Sequence, residues 1–174
     1  PLGHYSMLSA NILVIVVNKR KLGKLPVPRK WADLLEPIYK KSLVMRGQDG
    51  FFCSGVILPF YASYGVEGVK AMTRTVSAGL HPSEMVEAIN KNSPDAAPFY
   101  IMPLFFAMRL TNPESYQIVY PEEGAVISPV IMLLKKELSA ESASVAEFIA
   151  SAEMGQFCAD AGFPSVRADV DNHL

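Results

Sequence analysis

Residues 11–50 read NILVIVVNKRKLGKLPVPRKWADLLEPIYKKSLVMRGQDG, and the order of signals in this stretch decides the fold. Residues 12–17 are an unbroken run of β-branched residues and Leu, as expected of a strand covered on both faces. A basic turn with Gly23 follows, and Pro26 and Pro28 hold the next segment extended. Residues 29–35 suit a short helix around Trp31, which Pro37 ends, and residues 43–45 suit a second short strand. The segment Gly47-Gln48-Asp49-Gly50 then reads as a strand-to-helix turn, with Asp49 placed to cap the helix.

The alternation of strand and helix continues outward from there. A helix is predicted over 51–64, with Pro59 expected to kink or shorten it and Gly65 to close it. A further helix covers 66–76, and Gly79 ends that neighbourhood. His81-Pro82-Ser83-Glu84 opens the next, with Pro at the first position, Glu in the first turn, and Met85, Ala88 and Ile89 as the inward stripe. Strands are predicted at 99–102, 117–120 and 125–134, and helices at 104–110, 140–150 and 152–161, with Gly162 as a stop. The last two helices carry the stripes Val145, Phe148, Ile149 and Met154, Phe157, Cys158. This alternation predicts an α/β fold with a mixed sheet flanked by helices.

Bulk properties narrow the function classes. The 174 residues are 50% hydrophobic and 19% charged, a globular composition able to bury a core. A net charge of -1 offers no electrostatic footprint for nucleic acid. The charge is uneven: nine of the sixteen Lys and Arg lie between Lys19 and Arg46, which reads as a solvated face or, more sharply, as a basic patch for docking a protein partner. No apolar run reaches the roughly 20 residues of a spanning helix. The chain begins at Pro1 without Met, so an upstream segment is expected. Cys53 and Cys158 both lie on apolar helical stripes and read as small buried hydrophobes; two cysteines define no disulfide framework, and their pairing stays open.

Catalytic and cofactor signatures are absent from the sequence. His4, His81 and His173 are scattered, no metal-ligand spacing occurs, and there is no phosphate loop, dinucleotide fingerprint or nucleophile elbow. No cofactor is expected, and Cys53 in an apolar helix is a poor nucleophile. Tyr61 and Tyr64, three residues apart, read as surface or packing residues rather than iron ligands. The better candidates lie on turns at strand ends, where an open α/β sheet binds its ligands. Gly47-Gln48-Asp49-Gly50, Tyr100-Ile101-Met102-Pro103 and Pro121-Glu122-Glu123-Gly124 are three such turns. They name Gln48, Asp49, Tyr100, Met102, Glu122 and Glu123 as candidate ligand-binding residues.

Seven segments in order carry a resemblance: LVIVVNKRKL, PVPRKWADLLEPIYK, VILPFYASYGVEGVKAM, LHPSEMVEAI, FYIMPLFFAM, VYPEEGAVISPVIMLLKK and FIASAEMGQFCADAGFPSVRADVDN. Their sequence resembles the extracytoplasmic solute-binding proteins of ABC importers, of the iron(III) and polyamine type. That resemblance implies a type 2 periplasmic-binding-protein fold, with two α/β lobes joined by two crossing strands and closing on solute. It implies that residues 1–124 form the second lobe with the crossover, and that residues 125–174 form the return strand and C-terminal helices of an incomplete first lobe.

The resemblance implies binding without catalysis, of a small-molecule or metal solute, with iron or an iron complex as one candidate. The implied partner is the transmembrane permease, and the implied location is periplasmic or extracellular, membrane-associated through the importer. A ligand-sensing regulatory domain on the same fold is the alternative, and an enzyme built on Cys53 is the third reading. The stripes of the last two helices need a partner layer, so the isolated chain is expected to associate with a second copy or to fold those helices back onto the sheet of residues 12–102.

Overall fold

The computed structural model describes residues 5–48 and 51–173. Asp49 and Gly50, half of the first predicted turn, lie outside the described residues. The chain divides into two compact units, one of residues 1–12 and 127–174, the other Leu13–Val126. The strands are β1 (Tyr5–Asn18), β2 (Leu43–Gln48), β3 (Phe51–Phe52), β4 (Val76–Leu80), β5 (Phe99–Pro103), β6 (Tyr116–Val119) and β7 (Val126–Leu133). The α-helices are α1 (Ser54–Thr75), α2 (Pro82–Asn90), α3 (Leu104–Ala107), α4 (Ala140–Ile149) and α5 (Ala152–Asp160).

In the second unit the strand order is β4-β2-β5-β1-β6, with β3 pairing antiparallel to the end of β2. β5 is parallel to β2 and antiparallel to β1, and β4 is parallel to β2. Register stacks side chains in rows. Val17, Phe99 and Leu43 are successive partners, as are Ile15, Ile101 and Met45. These rows form one cluster with Trp31, Leu34, Tyr39, Val56, Phe60 and Met72. Because side chains alternate across a strand, Val14, Val16, Val44, Tyr100 and Met102 belong to the opposite face. They too are buried, and α2 packs against β2 and β5. The apolar run at 12–17 is thus the strand covered on both faces that its composition predicts.

Several boundaries differ from the sequence reading for local reasons. Residues 29–35 supply only a 3-10 turn, Ala32–Leu35, followed by another at Pro37–Tyr39. Asp33 is spent on the amides of Arg29 and Lys30. Phe51 and Phe52 pair with β2, so α1 starts later, at Ser54 after Cys53. Pro59 does not break α1; the only non-helical residue within it is Gly65, at φ 63° and ψ -164°. Gly79 lies inside β4 rather than ending a helix. The predicted helix 104–110 is one turn long.

The first unit is thinner. In it β7 pairs with β1, Ser9 bridges Ser165, and the Ala10 amide donates to the Pro164 carbonyl at 2.9 Å. Ala146, Gly155 and Ala159 are the buried positions of α4 and α5. Of the predicted stripes, Ile149, Met154 and Cys158 are half-buried, whereas Val145, Phe148 and Phe157 are exposed, the last by 67%. Ile127, Ile131 and Leu133 on β7 are exposed as well. Both cysteines are free and half-buried.

Gly65 occupies a region of backbone space that is essentially restricted to glycine. Gly65→Ala should therefore cost ~1–3 kcal/mol, read as a lower urea midpoint with unchanged slope.

Candidate functional site

A cavity of about 560 Å³ opens in the second unit at the carboxyl ends of β2 and β4. Its walls come from four places in the chain: Arg46, Gly47 and Gln48 at the end of β2; Cys53 and Ser54 at the start of α1; Gly79 and Leu80 at the end of β4; His81 and Glu84 at the start of α2. Strand ends and helix starts meet here because β2 and β4 are parallel and each feeds a helix. This is the position at which open α/β sheets present ligand sites.

The two helix starts differ electrically. The first turn of α2 is closed by its own side chains. Glu84 Oε2 accepts the His81 amide at 2.7 Å, and His81 Nδ1 accepts the Ser83 amide at 3.3 Å and lies 2.7 Å from Ser83 Oγ. The first turn of α1 has no side-chain cap, because Cys53 occupies the capping position. Cys53 itself is tethered through its amide to the Arg46 carbonyl at 2.9 Å. The Val56 amide is taken by the Cys53 carbonyl at 3.0 Å, and no side chain caps the first turn at the positive end of the helix dipole. Among the described residues no carboxylate pairs with the exposed Arg46 guanidinium. Arg46, Gln48 and Ser54 beside that helix start suit a polar solute carrying negative charge.

Gly79 sets the width of the cavity wall. A Cβ there would lie 2.8 Å from the Gly47 carbonyl carbon, a backbone atom that cannot swing aside. Behind α2, the His81 ring meets Phe106 edge-on at 5.8 Å, and Arg109 stacks over Phe105 at 4.9 Å.

The sequence-predicted residues are scattered rather than gathered. Gln48 lines the cavity. Asp49 lies outside the described residues, and the capping position expected for it is held by Cys53. Tyr100 and Met102 are fully buried, since β5 is an interior strand with both faces covered; the Tyr100 hydroxyl accepts the Ala97 amide at 2.8 Å, and burial raises its pKa. Glu122 pairs with Arg29 at 2.7 Å. Glu123 accepts the Trp31 amide on one oxygen and the Tyr64 hydroxyl on the other, at 2.5 and 2.7 Å. Arg46, Ser54, His81 and Gly79 were not singled out from sequence, although a Gly two residues ahead of a His-Pro-Ser-Glu helix opening was a usable signal. Among the described residues no group of three His, Cys, Asp or Glu is placed to hold a metal ion.

Tyr64 is the most displaced titrating group of this unit. Burial, then the Glu123 hydrogen bond and charge, push its pKa from 10.0 to about 12. The protonated phenol is the favoured form, so its contribution to stability is complete below pH 10 and is lost as pH rises through about 12. Tyr64→Phe should be less stable at neutral pH and should show a shallower fall in stability between those two values, measured by denaturant titration across the alkaline range.

Residues 1–174 match the model of a family described as bacterial extracellular solute-binding protein. A search of curated proteins returns no match. Among solved structures, the apo ferric ion-binding protein A of Pasteurella haemolytica is similar, at 19% identity and a TM-score of 0.73, over 97% of this chain and 58% of that one. The periplasmic binding protein AfuA of Actinobacillus pleuropneumoniae, described with exogenous fructose-6-phosphate bound, aligns at 18% identity and a TM-score of 0.69, over 96% and 56%. A structure described as a two-component system protein mediating signal transduction aligns at 20% identity and a TM-score of 0.77, over 96% and 57%. The chain therefore spans a little over half the length of the structures it matches, and its α/β architecture is that of type 2 periplasmic-binding proteins.

Proposed function

Since the chain belongs to the family of bacterial extracellular solute-binding proteins, we propose that it serves as the solute-capturing component of an ABC importer, handing its solute to a membrane permease. Members of this family bind rather than catalyse, and no described helix is long and apolar enough to cross a membrane. In this reading Leu13–Val126 is one lobe, and residues 5–12 with 127–173 are part of the other.

The observation that carries the reading is the cavity at the ends of β2 and β4, with the uncapped start of α1 and, on its wall, Arg46, which pairs with no carboxylate among the described residues. Of the residues first named from sequence, Gln48 is the one we keep there. The solute class it favours is a small polar molecule with a phosphate or carboxylate group, which includes iron held in a carboxylate chelate. The similar structures, one of an apo ferric ion-binding protein and one with a sugar phosphate bound, support this range. A ligand-sensing domain is the second reading, supported by the similarity to the signal-transduction protein. Solute uptake by cells that depends on this protein separates the two.

A thermal-shift panel of hexose phosphates, ferric citrate, inorganic phosphate, free ferric ion, polyamines and neutral sugars tests the proposal. An anionic solute at about 100 times its Kd should stabilise the protein by ~2.7 kcal/mol. Arg46→Ala should weaken that solute at least tenfold while leaving the melting point without solute within a degree or two of the parent. Stabilisation by none of the panel, or by neutral sugars alone, overturns the anionic site.

A further inference from the structure

His81 opens α2 at a position where capping alone calls for Ser, Thr, Asp or Asn. It also stands on the cavity wall, with Arg46, Gln48, Ser54 and Glu84. The two ring nitrogens are not equivalent. Nδ1 meets Ser83, whose amide can only donate and reaches it at 3.3 Å. In the neutral ring the proton therefore sits on Nε2. Among the described residues nothing bonds Nε2. The ring is held in place by Phe106, edge-on at 5.8 Å, which Phe105 backs edge-on at 5.1 Å. A cap has no use for that second nitrogen, whereas a polar solute has.

The groups around the ring decide what a second proton would meet. Glu84, in the same helical turn, favours an imidazolium; its carboxylate already holds the His81 amide at 2.7 Å. Arg46 on β2, the register partner of Leu80, opposes it. Arg109, stacked over Phe105 at 4.9 Å, is a further cation on the Phe106 side and opposes it more weakly. Cys53 is the remaining titratable group on the wall. Ser83 Oγ lies 2.7 Å from Nδ1, and a hydroxyl can turn from donor to acceptor. A protonated Nδ1 thus keeps a partner, and the displaced Ser83 amide, on an exposed residue, has water. An anion in the cavity cancels the opposition of Arg46 and gives the imidazolium a partner of its own.

We propose that His81 is a solute-contacting residue of this cavity, donating from Nε2 to the anionic group, and that solute capture takes up a proton at Nδ1. This rests on the anionic-solute reading above. The sign follows from linkage. A ring that holds its proton more tightly with solute bound makes solute bind more tightly as pH falls through the range in which histidines titrate, and affinity levels off on either side. His81 then links capture and release of the solute to the acidity around the protein.

Inorganic sulfate is the first probe, because its charge does not change across that range and any pH dependence belongs to the protein. Calorimetric titration near pH 6.5, in buffers of different ionisation enthalpy, should show uptake of about half a proton or more, and sulfate should bind about fivefold or more tighter near pH 5.5 than near pH 8. His81→Asn keeps a capping side chain and removes the titrating ring. It should bind sulfate more weakly, with no proton uptake and equal affinity at the two pH values. In the parent, the Cε1 proton resonance of His81, assigned by its loss in that variant, should titrate at higher pH with sulfate than without. If sulfate does not bind, the anion of the thermal-shift panel that does bind takes its place, with His81→Asn as the reference for the anion's own ionisation. Anion binding without proton uptake, or with a pH dependence that survives in His81→Asn, overturns this proposal and leaves the anionic site standing. Binding of no anion overturns the anionic site and this proposal with it.

Discussion

Both faces of β5 are covered, and its two neighbours are β1 and β2. From this one constraint much of the second unit follows. Phe99 and Ile101 complete one row of the core, Tyr100 and Met102 the other, and each such side chain contributes ~1.5–3 kcal/mol when fully buried. A strand used in this way has no side chain left for a ligand. Chemistry is pushed to the strand ends, where the backbone must turn and where helices begin with unsatisfied amides. The cavity at β2 and β4 is the result.

The electrostatic character of that cavity depends on a small asymmetry in capping. α2 satisfies its own first turn through His81, Ser83 and Glu84, which removes both a carboxylate and an imidazole nitrogen from other uses. α1 has a cysteine in the corresponding place, and no side chain caps its first turn. Arg46 on the same wall adds a full positive charge. The close approach of Gly79 to Gly47 keeps the floor of the cavity bare of side chains.

The first unit shows what the same principles look like with less to bury. Small residues, Ala146, Gly155 and Ala159, make its close contacts, and a Cβ on Gly155 would lie 2.9 Å from Ser165 Oγ. The large apolar side chains Phe148, Phe157 and Leu133 remain at the surface.

The alternation of strands and helices, the doubly covered strand at 12–17, the opening of α2 and the glycine break after Tyr64 were legible in the sequence, because each rests on local periodicity, capping or a single dihedral requirement. The resemblance in segment order extended this to the architecture. The site was legible only as a principle, that ligands gather at strand ends, and of its residues only Gln48 was named and placed on the cavity wall. Which ends meet depends on strand order and on the direction of pairing, and neither is written in any local stretch. Glu122 and Glu123 looked available because an acidic turn in sequence shows no donors; Arg29 pairs with Glu122, and Trp31 and Tyr64 reach Glu123 from 92 and 59 residues away. Tyr100 and Met102 looked available because a strand end and a strand interior read alike until neighbours fill both sides. Local sequence determined the alternation of elements, and the tertiary structure decided several of their ends and which polar groups were consumed in holding them together.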